Sequence, residues 1–282
     1  YSLTTTFQRD IDTSDYEVIA LDNGSSEPLG EDFVRRIGGD SFEYRYFDAR
    51  SSSPAKAINS SVSQCSSRFV MCVIDGARVL SPGVLQLSLI AAQALAHPFV
   101  YTLAMHLGSK PQNDSVLEGY NQEVEDRLLA TVDWQRNGYQ LFSISSVALS
   151  SKQGFFSELT ETNCFMMRRD DYLRVGGLSE DFQSPGGGLV NLDFFNRVHE
   201  QPDITPVMLL GEATFHQFHG GTATNVPMSR HPWSEFAEEY RRIRGGELKS
   251  GYRPPLYFGG IRPECRKLIG TSVKEWDCSS QE

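Results

Sequence analysis

Two short apolar runs in the first quarter of the chain end in polar turns, and this pattern constrains the fold most. Residues 17–21 (EVIAL) run into the turn-rich stretch 22–26, and residues 68–74 (RFVMCVI) run into Asp75 and Gly76. A nearly continuous apolar run of this length is typical of a strand buried on both faces of a parallel sheet. Helical stretches lie between such runs, which predicts an α/β fold with a mostly parallel central sheet flanked by helices.

Other segments extend this alternation and set the expected domain boundaries. We expect one domain over residues 1–248, with 108–152 as an insertion, and a surface tail over 249–282. Open sheets of this kind bind ligands at the carboxyl ends of their strands, so Asp22 and Asp75 mark the expected site. We expect further helices near 31–37, 54–65, 82–96, 122–136, 169–175, 189–199 and 233–244, and further strands near 42–47, 98–107, 163–168, 207–210 and 213–218.

Composition argues against several other classes of protein. The 282-residue chain has 26 Lys and Arg against 36 Asp and Glu, a formal net charge of −10. This balance disfavours nucleic-acid binding, because a phosphate backbone needs a basic surface. No apolar run approaches the roughly 18 to 20 residues that a bilayer-spanning helix needs, so we expect a soluble chain with no transmembrane segment. The five cysteines lack CxxC spacing, which disfavours a disulfide framework or zinc ribbon and favours a reducing compartment.

Five motifs stand out when the chain is followed in order. They are YEVIALDNGSS, RFVMCVIDGARVLSPG, TNCFMMRRDDYLRVGGLSEDF, PGGGLVNLDFFNRV and FHQFHGG, spread roughly from Glu17 to Gly221. This series resembles the family 2 glycosyltransferases and their relatives with the GT-A fold. The resemblance implies a nucleotide-diphospho-sugar transferase fold and a glycosyltransferase of the hexosyltransferase type. The family's usual first strand has no counterpart here, so we expect it to be missing before Tyr1.

Three polar residues correspond to the family's nucleotide-sugar site. The resemblance places the base-binding acid at Asp22, a polar position facing the nucleotide at Asn59, and a diphosphate-side acid at Asp75. Each has an ordinary alternative. Asp22 followed by Asn23 and Gly24 also suits a simple turn, and Asn59 also suits a solvent-facing helical position.

The family's metal site is incomplete in this sequence. The resemblance implies an Asp-x-Asp motif that binds Mn²⁺ or Mg²⁺, but Ala77 replaces the second acid after Asp75. The family's third ligand is a late histidine, which we assign to His219 in preference to His216. Neighbouring strand positions point in opposite directions, so the two histidines should diverge unless the strand ends between them. Both also suit hydrogen-bonded structural histidines. A site with one carboxylate should bind the ion more weakly than a site with two.

The catalytic base is also displaced from the family pattern. In inverting relatives the base is the first Asp of a Glu-Asp-x-Asp run ahead of an Arg, and the equivalent position here is Asn191, which cannot take a proton. The remaining acid, Asp193, is our first candidate base, and Glu161, next to the strand that borders the acceptor side in relatives, is the second. Asp193 and Arg197 are spaced i,i+4, so an ordinary helical ion pair is the alternative for Asp193.

The resulting functional hypothesis is a transferase of glycoconjugate biosynthesis. We expect a UDP-sugar as donor, a saccharide or small polyol hydroxyl as acceptor, and inversion at the anomeric carbon. The cell compartment would be the cytoplasm, with peripheral attachment to a membrane left open. Ala77 and Asn191 support an alternative, a catalytically silent GT-A-like binding or scaffolding domain. A nucleotidyltransferase is a third hypothesis, weakened because no basic glycine-rich phosphate loop follows the first strand.

Overall fold

The computed structural model describes residues 1–49, 51–74 and 77–270. The described strands are β1 (Val18–Asp22), β2 (Phe42–Tyr46), β3 (Phe69–Val73), β4 (Arg78–Leu80), β5 (Pro98–Leu107), β6 (Ser145–Val147), β7 (Cys164–Arg168), β8 (Thr205–His216) and β9 (Leu256–Gly259). The described helices are α1 (Glu31–Gly38), α2 (Ala55–Gln64), α3 (Val84–Ala94), α4 (Gln112–Ser115), α5 (Gln122–Leu129), α6 (Arg169–Arg174), α7 (Val190–His199) and α8 (Trp233–Arg244). In this part of the chain no helix has the length and apolar character needed to cross a bilayer.

The central sheet has seven strands and mixed direction. Its main order is β3-β7-β5-β8-β4, with β6 on β5 and β9 on β8. β8 runs parallel to β5 and to β9, whereas the other described pairs in this sheet are antiparallel. The prediction of a mostly parallel central sheet is therefore wrong, although the α/β class is confirmed. An apolar run does not give the direction of the neighbouring strand. The expected burial on both faces is also absent from the two runs that suggested it, since β1 is only partly buried and β3 is buried at alternate residues.

The core lies where β5, β7 and β8 meet α7. All ten residues of β5 are buried. Phe165 on β7 stacks on Phe194 of α7, with ring centroids 4.9 Å apart, and Phe99 of β5 contacts both rings. Each such phenylalanine contributes about 1.5–3 kcal/mol when fully buried. This packing gives a rigid support for the loops at the carboxyl ends of the strands.

β8 is one long strand where the sequence predicts two short ones. Its register with β5 shifts between Tyr101 and Leu103, and Gly211 lies at this irregularity with φ of 79°. A Cβ on Gly211 would lie 2.1 Å from the carbonyl oxygen of Gly260. Only glycine fits this close approach, so Gly211 is accommodated within a continuous strand.

β1 and β2 form a separate parallel sheet beside β3. A slot of about 180 Å³ separates β1 from β3, and its apolar lining comes from β1, β3 and α2, including Ile19, Leu21, Met71, Ile58 and Val62. Every residue of β1 is only partly buried, although its sequence is VIALD. The strand expected before Tyr1 and the boundary at 248 stay predictions. In the described part of the tail, β9 joins the central sheet.

Candidate functional site

A cleft of about 420 Å³ opens at the carboxyl end of β1. The loop after β2 forms one wall, the first turn of α2 forms the floor, and the loop ahead of α7 forms the opposite wall. The lining residues are Asn23, Phe47, Asp48, Ala49, Ser51, Ser53, Ala55, Lys56, Glu180 and Gln183. Lys56 places one positive charge close to the amino end of α2, where an anion is favoured, while Asp48 and Glu180 place two negative charges elsewhere in the lining.

Asp22 ends β1 but is not among the residues that line the cleft. Its carboxylate accepts hydrogen bonds from the Ser25 amide at 2.8 Å and the Tyr44 hydroxyl at 2.9 Å. Burial opposes ionisation, but the bonds from Ser25 and Tyr44 outweigh it and hold the pKa of Asp22 below its usual range. This geometry matches the turn alternative, and the nucleotide-binding role of Asp22 stays a prediction.

Asn23 lines the cleft at the place where the sequence predicted its neighbour Asp22. Its Nδ2 donates to the Ser53 carbonyl at 3.2 Å, which fixes the loop after β2. Its Oδ1 is buried and accepts no hydrogen bond from the described residues. A buried acceptor without a partner is costly unless a ligand or water supplies the donor. The pattern Asp22-Asn23-Gly24 does not show which of its side chains faces the cleft, so Asn23 could not be predicted from the sequence alone.

Asn59 positions a loop, and both ends of its side-chain amide are already hydrogen-bonded. Its Oδ1 accepts from the Tyr172 hydroxyl at 2.7 Å and the Leu178 amide at 3.0 Å, and its Nδ2 donates to the Leu178 carbonyl and to Glu180. A Cβ on Gly177 would lie 2.5 Å from Asn59 Oδ1. Asn59 therefore holds Glu180 at the cleft edge, and direct nucleotide contact stays a prediction.

The glycine-rich loop of residues 184–188 is pinned on both sides. Glu239 of α8 accepts from the Gln183 and Ser184 amides, at 2.9 and 3.1 Å. The Gly186 amide donates to the Ser52 carbonyl at 3.3 Å, across to the loop after β2. This loop closes one side of the cleft in the described structure.

His216 and His219 converge because β8 ends at His216. Their Nε2 atoms lie 3.2 Å apart. The strand ends before His219, as two histidines that share one site require. Two nitrogens that ligate one ion at about 2.1 Å lie about 3 Å apart, so this spacing fits a metal-binding pair.

The hydrogen bonds of Gln112 fix the protonation of His216. Gln112 Nε2 donates to the His216 carbonyl at 3.1 Å and to Glu125 at 3.3 Å, so its Oε1 is the atom 2.7 Å from His216 Nδ1. His216 therefore carries its proton on Nδ1 and directs the Nε2 lone pair towards His219. A ligating histidine is commonly oriented in this way by its other nitrogen.

The loop that carries His219 requires glycine. Asn225 Oδ1 accepts from the backbone amides of His219, Gly220 and Gly221, at 3.1, 2.9 and 2.9 Å. A Cβ on Gly221 would lie 2.7 Å from Thr224 Oγ1 and 3.0 Å from His219 Nε2. Within residues 1–49, 51–74 and 77–270 no cluster of three or more His, Cys, Asp or Glu is arranged for a metal. Asp75, the expected ligand, lies outside the described residues.

Asp193 is fully engaged in a buried double ion pair. Arg244 donates to its two oxygens at 2.7 and 2.8 Å, and Arg197 donates to Oδ2 at 2.8 Å. Asp193 is 2% exposed. The i,i+4 alternative with Arg197 is present, and Arg244 adds a partner that sequence spacing does not reveal. The role of Asp193 as base stays a prediction.

Glu161 occupies a different environment near the end of β3. It is partly buried and lies close to Ser150, Asn163 and Arg78. Burial raises the pKa of the Glu161 carboxyl, and the opposing charge of Arg78 does not reverse the shift. The Asn163 carbonyl accepts from the Ile74 amide at 2.8 Å. Arg78 is the β4 partner of His216, so Glu161 and the histidines share one end of the sheet.

Comparisons with known proteins give a fold likeness without a sequence family. No protein-family model matches the chain, and no curated protein matches its sequence. The structure of S. aureus TarS 1–349 in complex with UDP-GlcNAc superposes with a TM-score of 0.52 and 13% identity, covering 86% of this chain and 59% of that one. S. aureus TarS also superposes, with a TM-score of 0.50 and 13% identity, covering 86% of this chain and 35% of that one. The fold therefore resembles that of S. aureus TarS.

The chain spans between about a third and three-fifths of these TarS chains. At 13% identity the likeness to TarS concerns the fold alone. The residues of the cleft and of the histidine pair must therefore be argued from their own contacts.

Proposed function

We propose that the chain is a GT-A-fold, hexosyltransferase-type glycosyltransferase that moves a sugar from a nucleotide diphosphate donor to a saccharide or small polyol hydroxyl, with inversion. The observation that carries this proposal is the cleft beside β1, which is lined by Lys56 and by Asn23, whose Oδ1 accepts no hydrogen bond from the described residues. The glycosyltransferase-like fold supports it. A UDP-sugar is the proposed donor, because the imide N–H of uracil is a suitable donor for Asn23 Oδ1.

Each end of the donor has a proposed binding group. Asn23 receives the base, with Asp22 and Asn59 keeping the neighbouring loops in place, and Lys56 faces the diphosphate. Asp75 and His219, with His216 beside it, are proposed to hold Mn²⁺ or Mg²⁺. Such an ion, when bound, neutralises charge on the departing diphosphate.

The proposed reaction is direct displacement at the anomeric carbon. A base takes the proton of the acceptor hydroxyl, the acceptor oxygen bonds to the anomeric carbon, and the bond to the diphosphate oxygen breaks. Of the two candidate bases, Glu161 is better placed than Asp193. Asp193 already accepts three hydrogen bonds from two arginines, whereas a partly buried carboxyl with a raised pKa suits proton transfer near neutral pH.

A silent binding or scaffolding domain is the second candidate function. It is favoured by the amide of Asn191 at the family's base position and by Ala77 at the second metal position. The two functions differ in chemistry, because a scaffold can bind a nucleotide but does not release it from a sugar. The cytoplasmic location and peripheral membrane attachment stay predictions.

Thermal unfolding with a panel of nucleotides and nucleotide sugars, with and without Mn²⁺, tests the proposal. A ligand at 100 times its Kd should stabilise the fold by about 2.7 kcal/mol. We expect UDP-sugars to raise the melting temperature, and Asn23→Ala and Lys56→Ala each to weaken binding about tenfold, as expected for the loss of a strong polar contact. Lys152→Ala is the matched control for Lys56→Ala, since Lys152 is exposed and lies outside the cleft lining.

Two results would redirect the assignment. A panel in which no nucleotide stabilises the chain contradicts the proposed donor site. Tight UDP binding without UDP release from any sugar donor selects the scaffold. NMR of the product's anomeric centre then tests inversion.

A further inference from the structure

Residues 249–259, here called the strap, run from α7 to the central sheet. Asn196 of α7 donates to the Lys249 carbonyl at 2.8 Å and accepts from the Gly251 amide at 2.9 Å. At the other end of the strap, β9 pairs with β8 in parallel. The strap is therefore held by hydrogen bonds at both of its ends.

His199, the last residue of α7, binds the middle of the strap. The Arg253 amide donates to His199 Nδ1 at 2.9 Å. The Arg253 guanidinium donates to the carbonyls of His199, Gln201 and Ile204, which lie at and beyond the end of the helix. One residue of the strap thus closes the carboxyl end of α7 with its backbone and its side chain.

The His199 ring has no suitable place for a second proton. Because Nδ1 accepts from a backbone amide, the neutral ring carries its proton on Nε2. Nε2 is buried and finds no acceptor among the described residues. A proton added to Nδ1 would point at the Arg253 N–H, so two donors would face each other. Protonation of His199 is therefore incompatible with its bond to the strap.

The groups around the ring also oppose a positive charge. His199 is 1% exposed, and its ring lies near Tyr101 of β5 and stacks on Tyr252 of the strap. The charged group that faces it is the Arg253 guanidinium. Burial, followed by the charge of Arg253, lowers the pKa of His199 to about 3.

We propose that His199 is a pH-sensitive latch: the neutral ring holds the strap on α7, and protonation of the ring releases it. When the strap leaves, Tyr252 and Arg253 leave with it, and the face of the ring that they cover meets water. Release also removes β9 from the central sheet. The latch does not depend on the proposed transfer reaction, because it needs no ligand.

Hydrogen exchange of the strap amides at pH 5.0 and pH 7.5, followed by mass spectrometry, tests the latch. Correction for the intrinsic pH dependence of exchange gives a protection factor at each pH. A ring with a pKa of about 6.5 when released and about 3 when docked makes opening almost tenfold more favourable per pH unit below 6.5. The protection of the strap should therefore be about 30-fold lower at pH 5.0 than at pH 7.5. The amides of β5 should stay more protected than the strap at both pH values, because the opening is local.

Variants on α7 separate titration from simple loss of contact. His199→Asn removes the titrating ring and keeps an acceptor for the Arg253 amide, so the pH difference should shrink to within about twofold. Asn196→Ala is the matched control, because it removes a strap contact that does not titrate. It should lower protection at both pH values and keep the roughly 30-fold difference. His231→Asn, which alters a half-buried histidine beside Phe236, should also keep it.

Three results would overturn the inference. They are a pH difference below about threefold in the wild-type strap, a full pH difference in His199→Asn, and β5 amides no more protected than the strap at pH 5.0. The third result would mean that acid unfolds the whole chain. Should His199→Asn release the strap at both pH values, His199→Gln supplies a second acceptor that does not titrate, and the wild-type difference tests the latch without any variant.

Discussion

The two candidate bases lie in regions of opposite character. Around Asp193, on α7, every carboxylate oxygen has an arginine partner, and the arginines in turn bind the carbonyls of Val175 and Gly177 through Arg197. Around Glu161, near the end of β3, a partly buried carboxyl lies close to one arginine, Arg78. Asn191, which donates to Asn163 beside it, has an Oδ1 that accepts no hydrogen bond from the described residues. Saturated contacts indicate a structural role, whereas unmet hydrogen-bonding groups indicate where a ligand is expected.

Removing Asp193 gives the largest expected change in stability. Asp193→Ala leaves two partly buried guanidinium groups without their shared counter-charge, which should destabilise the fold by about 3 kcal/mol. Urea unfolding measures this loss. Asp170→Ala is the control, because Asp170 is exposed and only loosely paired with Arg169 at 3.5 Å. Unchanged stability together with lost transfer would make Asp193 catalytic and reverse the comparison.

Gly221→Ala tests the proposed metal side of the site with a smaller expected effect. The added Cβ would lie 2.7 Å from Thr224 Oγ1 and 3.0 Å from His219 Nε2, so Thr224 must shift and the His219 ring must give slightly. Loss of such support for a ligand costs about 10- to 100-fold in metal affinity. We therefore expect the increase in UDP affinity that Mn²⁺ causes to be at least about tenfold smaller in this variant, as measured by calorimetry.

Gly246→Ala is the control for this change, since no atom lies within 4 Å of the added Cβ. An unaltered Mn²⁺ requirement in Gly221→Ala would separate the histidine pair from metal binding. The His216–His219 contact would then be a structural hydrogen bond.

The helices and strands were more predictable from the sequence than the site was. The strand expected at 98–107 and the helix at 233–244 match β5 and α8, because uniform burial and helical periodicity are local properties. The helix expected over 122–136 ends at Leu129. Strand direction escaped prediction because antiparallel β7 enters the sheet between β3 and β5 from a distant part of the chain.

The site residues show the same limit. Arg244 reaches Asp193 from a helix some fifty positions away, and Gln112 sets the proton on His216 from across the fold. No spacing rule connects these pairs. The Asn23 side chain was overlooked for a local reason, since either residue of an Asp-Asn-Gly turn can face a ligand.

The smallest expected effect concerns Asp22, which accepts its hydrogen bonds from a backbone amide and a hydroxyl where Asp193 accepts them from two arginines. Its pKa is lowered in the fold, so its ionised form contributes stability above the unfolded pKa of about 3.9, and this contribution is lost as the pH falls through the folded value. Asp22→Asn should therefore lower the melting temperature slightly at pH 6 and converge with wild type near pH 2.5. Nucleotide affinity at pH 7 should stay within twofold. A large loss of affinity in this variant would instead extend the donor site to Asp22, because a residue that only stabilises a turn has no direct effect on a ligand in the cleft.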